Sequence, residues 1–99
     1  MRPRLPKELL GVLASIDDVP TLSKVLTDLL TEAEVDAIRE RWAIVKLLDA
    51  GKSQRQVRDR LGVSVTTVNR GNRQLKYGAG GFRIALDRAA ELAGEEAEG

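Results

Sequence analysis

Neither cysteine nor histidine occurs in this chain of 99 residues. Without thiols there is no disulfide framework and no thiolate metal site, and without imidazole the usual general base and the commonest metal ligand are both missing. No catalytic or metal site is therefore expected. Aromatic residues are scarce, limited to Trp42, Tyr77 and Phe82. A core drawn from the 42% hydrophobic residues must then be aliphatic and alanine-rich, which favours helices over a strand-built sandwich. No apolar run approaches the roughly 20 residues of a membrane span, and the N-terminal segment lacks the long apolar stretch of a secretory signal, so a cytoplasmic protein is expected. An imbalance of charge is also lacking, with 16 basic residues against 15 acidic ones for a net +1. Such a total does not by itself point to nucleic acid.

What is present reads as a series of amphipathic helices without an internal repeat. Pro6 can open a first helix carrying Leu9, Leu10, Val12, Leu13 and Ile16, and the Asp17, Asp18, Pro20 cluster is expected to end it. A second helix beginning near Thr21 places Leu22, Val25, Leu26, Leu29 and Leu30 at i, i+3, i+4, i+7 and i+8, a strongly apolar stripe that needs a partner surface. Thr31 with Glu34 forms a capping box for a long helix to about Ala50, with Val35, Ile38, Trp42, Val45 and Leu48 as one seam widened by Ile44 and Leu47. Gly51 closes it. The spacing thus predicts a single all-α domain, with residues 1–50 as a helical core. A chain of this size often completes its core by dimerising.

Residues 53–76 carry the strongest functional signal. Ser53 and Gln56 form a capping box for a short helix with Val57 and Leu61 on one face, and Gly62 supplies the positive φ that a tight interhelical turn needs. Val63 packs beneath the corner, Ser64 caps a second helix, and Val65, Val68 and Leu75 are expected to face inward. Between them Thr66, Thr67, Asn69 and Arg70 offer short hydrogen-bonding groups and a cation able to reach base edges. This is the pattern of a DNA-reading helix-turn-helix. Charge agrees: Lys52, Arg55, Arg58, Arg60, Arg70, Arg73 and Lys76 against Asp59 leave +6 on residues 52–76, and hence −5 on the rest. Such concentration is what neutralising phosphates requires. Residues 77–81 then form a glycine-rich joint before a last helix over 82–94, with Phe82, Ala85, Leu86, Ala89 and Leu92 on one side and a frayed acidic end. Two further glycine patterns lead nowhere. The Gly-Lys-Ser at 51–53 lacks the earlier glycine of a phosphate-binding loop, where Lys46 stands, and the glycines at 78, 80 and 81 serve better as a joint than as an anion site.

From Leu30 to Lys76 the chain resembles the Trp repressor family, through Thr31, the run from Glu40 to Val45, Ser53-Gln54-Arg55, Leu61-Gly62-Val63, residues Thr67 to Gly71, and Leu75-Lys76. The resemblance implies a six-helix fold in an intertwined homodimer that binds a palindromic operator in double-stranded DNA. It also implies repression gated by a corepressor, L-tryptophan, with each subunit lending parts of both pockets, and hence regulation of tryptophan or aromatic amino acid metabolism. Carried over by position, Arg41 and Arg70 would sandwich an indole ring, Arg70 would also hold its carboxylate, and Thr31, Leu30, Gly71 and Thr67 would line the pocket. Guanidinium planes stack on aromatic faces and pair with carboxylates, and a glycine lets a flat ring approach a helix. The same resemblance assigns Arg55 to a guanine edge, Gln54, Arg58 and Lys76 to phosphates, and Ser64, Val65, Thr66 and Asn69 to the groove.

The chain departs from the family pattern at two ligand positions. Gln74 stands where the family has a serine that helps hold the ligand's ammonium group, and Asp28 stands where it has a pocket-facing leucine. An added carboxylate suits the ammonium of tryptophan or signals a different ligand. Alternatives are therefore another indole compound such as indole-3-glycerol phosphate, or no gate at all. From other classes come a targeting subunit of a transposase or recombinase and a helical interaction adaptor. The chain has no carboxylate trio in a predicted sheet and no nucleophile beside a base, so it is not expected to be an enzyme.

Overall fold

A computed structural model of the chain describes residues 3–98, among which there are six α-helices and no strand. The first is α1 (Lys7–Ser15), entered through Pro6, whose carbonyl accepts the Leu10 N–H at 3.0 Å. Next, α2 (Val19–Leu29) starts two residues earlier than the sequence pattern suggests. Asp18 is its N-cap, with a carboxylate oxygen 2.8 Å from the Thr21 N–H, and Pro20 sits in the first turn, where a missing N–H costs nothing. The cluster expected only to stop one helix therefore starts the next.

The long α3 (Glu32–Asp49) opens on the expected capping box. The Glu34 N–H donates to the Thr31 hydroxyl at 3.1 Å, and the Thr31 N–H donates to the Glu34 carboxylate at 2.9 Å. At its other end the Gly51 N–H reaches the Leu48 carbonyl and the Lys52 N–H the Leu47 carbonyl, each at 3.1 Å. These paired bonds satisfy two carbonyls that the helix leaves free. After Gly51 follow α4 (Gln54–Leu61), α5 (Val65–Tyr77) and α6 (Gly81–Glu98).

Two compact units divide the chain within α3, the first ending at Asp36 and the second starting at Ala37. In the first unit the apolar stripe is only half covered: Leu22, Val25, Leu26 and Leu30 are half-buried, Leu29 is exposed, and no residue of α1 or α2 is fully buried. In the second, Ile44, Val57 and Val68 form a buried cluster with Leu47, Leu48, Leu61 and Val63 packed around it. Val45 and Leu86 are buried as well.

Beyond α1 and α2, three expected inward positions turn out exposed. Ile38 is exposed although Val35 and Ala37 beside it are half-buried, and full burial on α3 is reached only at Ile44 and Val45. Val65, half exposed, occupies the first position of α5, one turn ahead of the contact made by Val68. Leu92 is 60% exposed because coverage of α6 ends at Ala89, although the helical backbone continues to Glu98. Among the described residues no helix is long and apolar enough to cross a membrane.

Candidate nucleic-acid interface

Local chemistry builds the α4–turn–α5 unit almost entirely from short-range bonds. The Gln56 N–H donates to Ser53 Oγ at 3.1 Å and the Ser53 N–H to Gln56 Oε1 at 2.8 Å, completing the expected box at the head of α4. Gly62 stands at φ +68° and ψ +30° and its N–H closes α4 on the Arg58 carbonyl at 2.8 Å. A side chain there would crowd the following carbonyl, which is why the turn uses glycine. Ser64 Oγ then accepts the Thr67 N–H at 3.0 Å and lies 2.7 Å from the Thr67 hydroxyl, so Thr67, one of the residues assigned to a ligand, is engaged in capping α5.

Burial fixes which way α5 faces. Val68 is completely buried, and Gly71 one turn on lies so close to α3 that an added Cβ would sit 2.7 Å from Ile44 Cγ2. The close approach this glycine permits is therefore taken up by a neighbouring helix. Opposite to that contact, Thr66, Asn69, Arg70, Arg73, Gln74 and Tyr77 line an open concavity of about 480 Å³ along α5. No acidic residue occurs in α5, and Arg70 and Arg73 have no ion pair or hydrogen bond from their side chains among the described residues. The face is cationic and open to a polyanion.

Other predicted DNA-facing residues divide in their surroundings. Arg55 and Lys76 are exposed, Ser64 and the expected groove residue Val65 are exposed at the head of α5, and Gln54 is half-buried. Arg58 is half-buried and held by the adjacent Asp59, with Nη2 2.8 Å and Nε 2.9 Å from one carboxylate oxygen. Its charge is thus partly spent before any phosphate arrives.

A separate ionic clamp ties α6 to the end of α3. Arg83 on α6 reaches Asp49 at the end of α3 through two nitrogens, at 2.7 and 3.3 Å, and Asp87 one turn further along α6 at 2.9 Å. The hydrogen bonds from Arg83 hold the Asp49 carboxyl below its ordinary range, and the two carboxylates hold the guanidinium proton more firmly than usual. Arg83 and Asp49 are 34 residues apart, and no local pattern announces their pairing. Arg73, expected only as one of the unit's cations, and Tyr77, expected in the glycine-rich joint but the last residue of α5, share one helical face with Thr66, Asn69 and Arg70.

The sequence that builds this two-helix unit is matched in known proteins. Residues 6–90 match the family described as Trp repressor protein. The chain belongs to the Trp repressor family. That family consists of DNA-binding regulators, not of enzymes. Among relatives, the chain is 33% identical over 69 residues to a Trp operon repressor homolog of Xylella fastidiosa, covering 69% of this chain and 75% of that protein. It is 27% identical over 84 residues to the uncharacterized protein YerC of Bacillus subtilis, covering 85% of this chain and 81% of that one.

The family resemblance also supplied the ligand positions. In the first unit, Asp28 is exposed in the last turn of α2, Leu30 is half-buried at its C-cap, and Thr31 is committed to the α3 capping box. In the second unit, Arg41 is exposed on α3 without an ion pair or hydrogen bond from its side chain among the described residues, Arg70 is exposed, Gln74 is half-buried and Gly71 is covered by Ile44.

Proposed function

We propose that the protein is a sequence-specific transcriptional repressor that acts as a homodimer on a palindromic operator and is gated by a small indole corepressor, L-tryptophan first among them. The observation that carries this reading is the outer face of α5. It holds exposed Thr66, Asn69 and Arg70 near a capped helix start, without any acidic residue, on a unit that packs its other side through Val57 and Val68. Helix starts and cations position a reader on phosphates, and short polar groups read base edges. Arg55 reads a guanine edge, with Gln54, Arg58 and Lys76 on phosphates and Ser64 and Val65 along the groove.

The dimer reading is supported by α1 and α2, whose apolar residues find no complete cover within one chain. A second copy supplies the missing surface and the two-fold symmetry that a palindrome requires. Arg41 and Arg70, exposed cations, suit an aromatic carboxylate, and Leu30, Thr31, Asp28, Thr67, Gly71 and Gln74 complete the set by resemblance. Operation inside the cytoplasm on genes of tryptophan or aromatic metabolism accords with such a gate.

A second reading keeps the DNA module and replaces tryptophan with another indole, such as indole-3-glycerol phosphate. Two observations favour it: Gln74 and Asp28 change the ligand-side chemistry, and the Thr67 hydroxyl is already bonded to Ser64. Isothermal titration calorimetry of L-tryptophan and of indole-3-glycerol phosphate into the purified protein separates the readings. Saturable binding of tryptophan, one per subunit and lost in Arg70→Ala, supports the first. Heat from the other indole alone moves the gate to that compound, and silence from both leaves an ungated DNA-binding protein.

A further inference from the structure

The DNA-reading face of α5 continues past the residues that suit base edges. Arg73, Lys76 and Tyr77 lie three and four residues apart and are therefore neighbours on the helix surface. All three are exposed, Tyr77 at 82%, and none has a side-chain partner among the described residues. A tyrosine placed almost wholly in water beside two cations, on a helix without an acidic residue, contributes nothing visible to the packing of its own chain. It is available to something outside.

Length decides what that is. By the rise of about 1.5 Å per residue, Arg73 stands about 12 Å and Tyr77 about 18 Å from the first residue of α5. A major groove is only about 8.5 Å deep and about 12 Å wide. A helix that enters it start-first with Ser64, Thr66 and Asn69 on base edges carries Arg73, Lys76 and Tyr77 out over the rim, where the sugar–phosphate backbone runs. We propose that Arg73 and Tyr77, together with Lys76, form a clamp on the DNA backbone flanking each half-site. Arg73 donates to a phosphate in the forked geometry that guanidinium offers, and the Tyr77 phenol donates to a phosphate oxygen while its ring lies over deoxyribose. The clamp adds affinity without reading sequence. It rests on the DNA-binding reading above.

The test begins with selection of preferred duplexes from a random pool by the full chain. Affinity is then measured by fluorescence anisotropy on two duplexes of the selected sequence. One ends at the last conserved base pair, and the other is extended by roughly five base pairs, half a helical turn, at each end. The parent binds the extended duplex more tightly. Arg73→Ala and Tyr77→Ala each lose about tenfold on the extended duplex and little on the short one. Arg73→Ala also lowers the slope of log affinity against log salt by about 0.9. Tyr77→Phe, which keeps the ring, recovers only part of the loss. Circular dichroism melts equal to the parent's confirm that these exposed substitutions leave the fold intact. The proposal is overturned if the variants retain the gain from flanking DNA, lose equally on both duplexes, select a different base sequence, or lose indole binding instead. It also falls if the parent shows no gain from flanks. Failure of the parent to bind any duplex in a salt-dependent way overturns the DNA-binding reading itself, and the clamp with it.

Discussion

A single hydrogen atom at Gly71 decides how closely α5 can lie on α3. An added methyl group would meet Ile44 Cγ2 at 2.7 Å, and Ile44 is itself buried and hemmed in. Overpacking of this kind costs about 1–3 kcal/mol, set against the roughly 1 kcal/mol that alanine gains over glycine in a helix. Gly71→Ala is therefore expected to lower stability by about 1 kcal/mol, read as a lower urea midpoint at unchanged slope. Equal or higher stability would mean that α5 shifts freely on α3. The roles proposed for Arg55 and Arg70, one at a base edge and the other at the indole, are separated at the same scale by two substitutions. Arg55→Ala relaxes base preference in a selection experiment, whereas Arg70→Ala removes the response to indole more than it weakens non-specific DNA affinity. Parent-like behaviour in both variants would refute these roles.

Among the elements, α4 and α5 owe their boundaries to neighbours in sequence. Ser53 and Ser64 each satisfy a backbone N–H at the start of their helix. Removing either hydroxyl by substitution with alanine costs about 1 kcal/mol. The α6 helix is held differently, through Arg83 bridging Asp49 and Asp87. In the folded chain the carboxyls of Asp49, Asp18 and Glu34 are all held below their ordinary values by hydrogen bonds, from Arg83, Thr21 and Thr31 in turn. The unfolded chain binds protons more readily at these sites, so their contribution is present above about pH 4.5 and lost as pH falls from there through the depressed folded values. With no histidine or cysteine, no side chain has an ordinary pKa between 5 and 8. The melting temperature is expected to stay level from pH 8 to 5 and to fall below pH 4.5, less steeply in Asp49→Asn. A marked change near pH 6.5 would contradict this.

For the whole molecule, the decisive quantity is the apolar surface that one chain leaves uncovered on α1 and α2. A homodimer that covers it melts at a temperature that rises with protein concentration, because association stabilises only the folded form. Sedimentation at micromolar concentration is expected to show a species of twice the chain mass. A monomer with a concentration-independent transition would remove the basis for two-fold operator recognition.

Much of this protein was legible one segment at a time. Six helices, the capping boxes at Thr31 and Ser53, the cap at Ser64 and the turn at Gly62 all follow from interactions spanning three or four residues, which sequence spacing displays directly. The cationic bias of the helix-turn-helix unit follows from counting alone. Burial did not follow so simply. Val65, Ile38 and Leu92 keep the periodicity of inward residues, yet all three stay exposed, Val65 at the first position of α5 and Leu92 past the last covered turn of α6. Likewise the pairing of Arg83 with Asp49, the seating of Gly71 on Ile44 and the open run from Thr66 to Tyr77 join or separate residues by distance in space. Short-range bonds determine where each helix starts and turns, and only the packing of one helix on another decides which face remains for DNA.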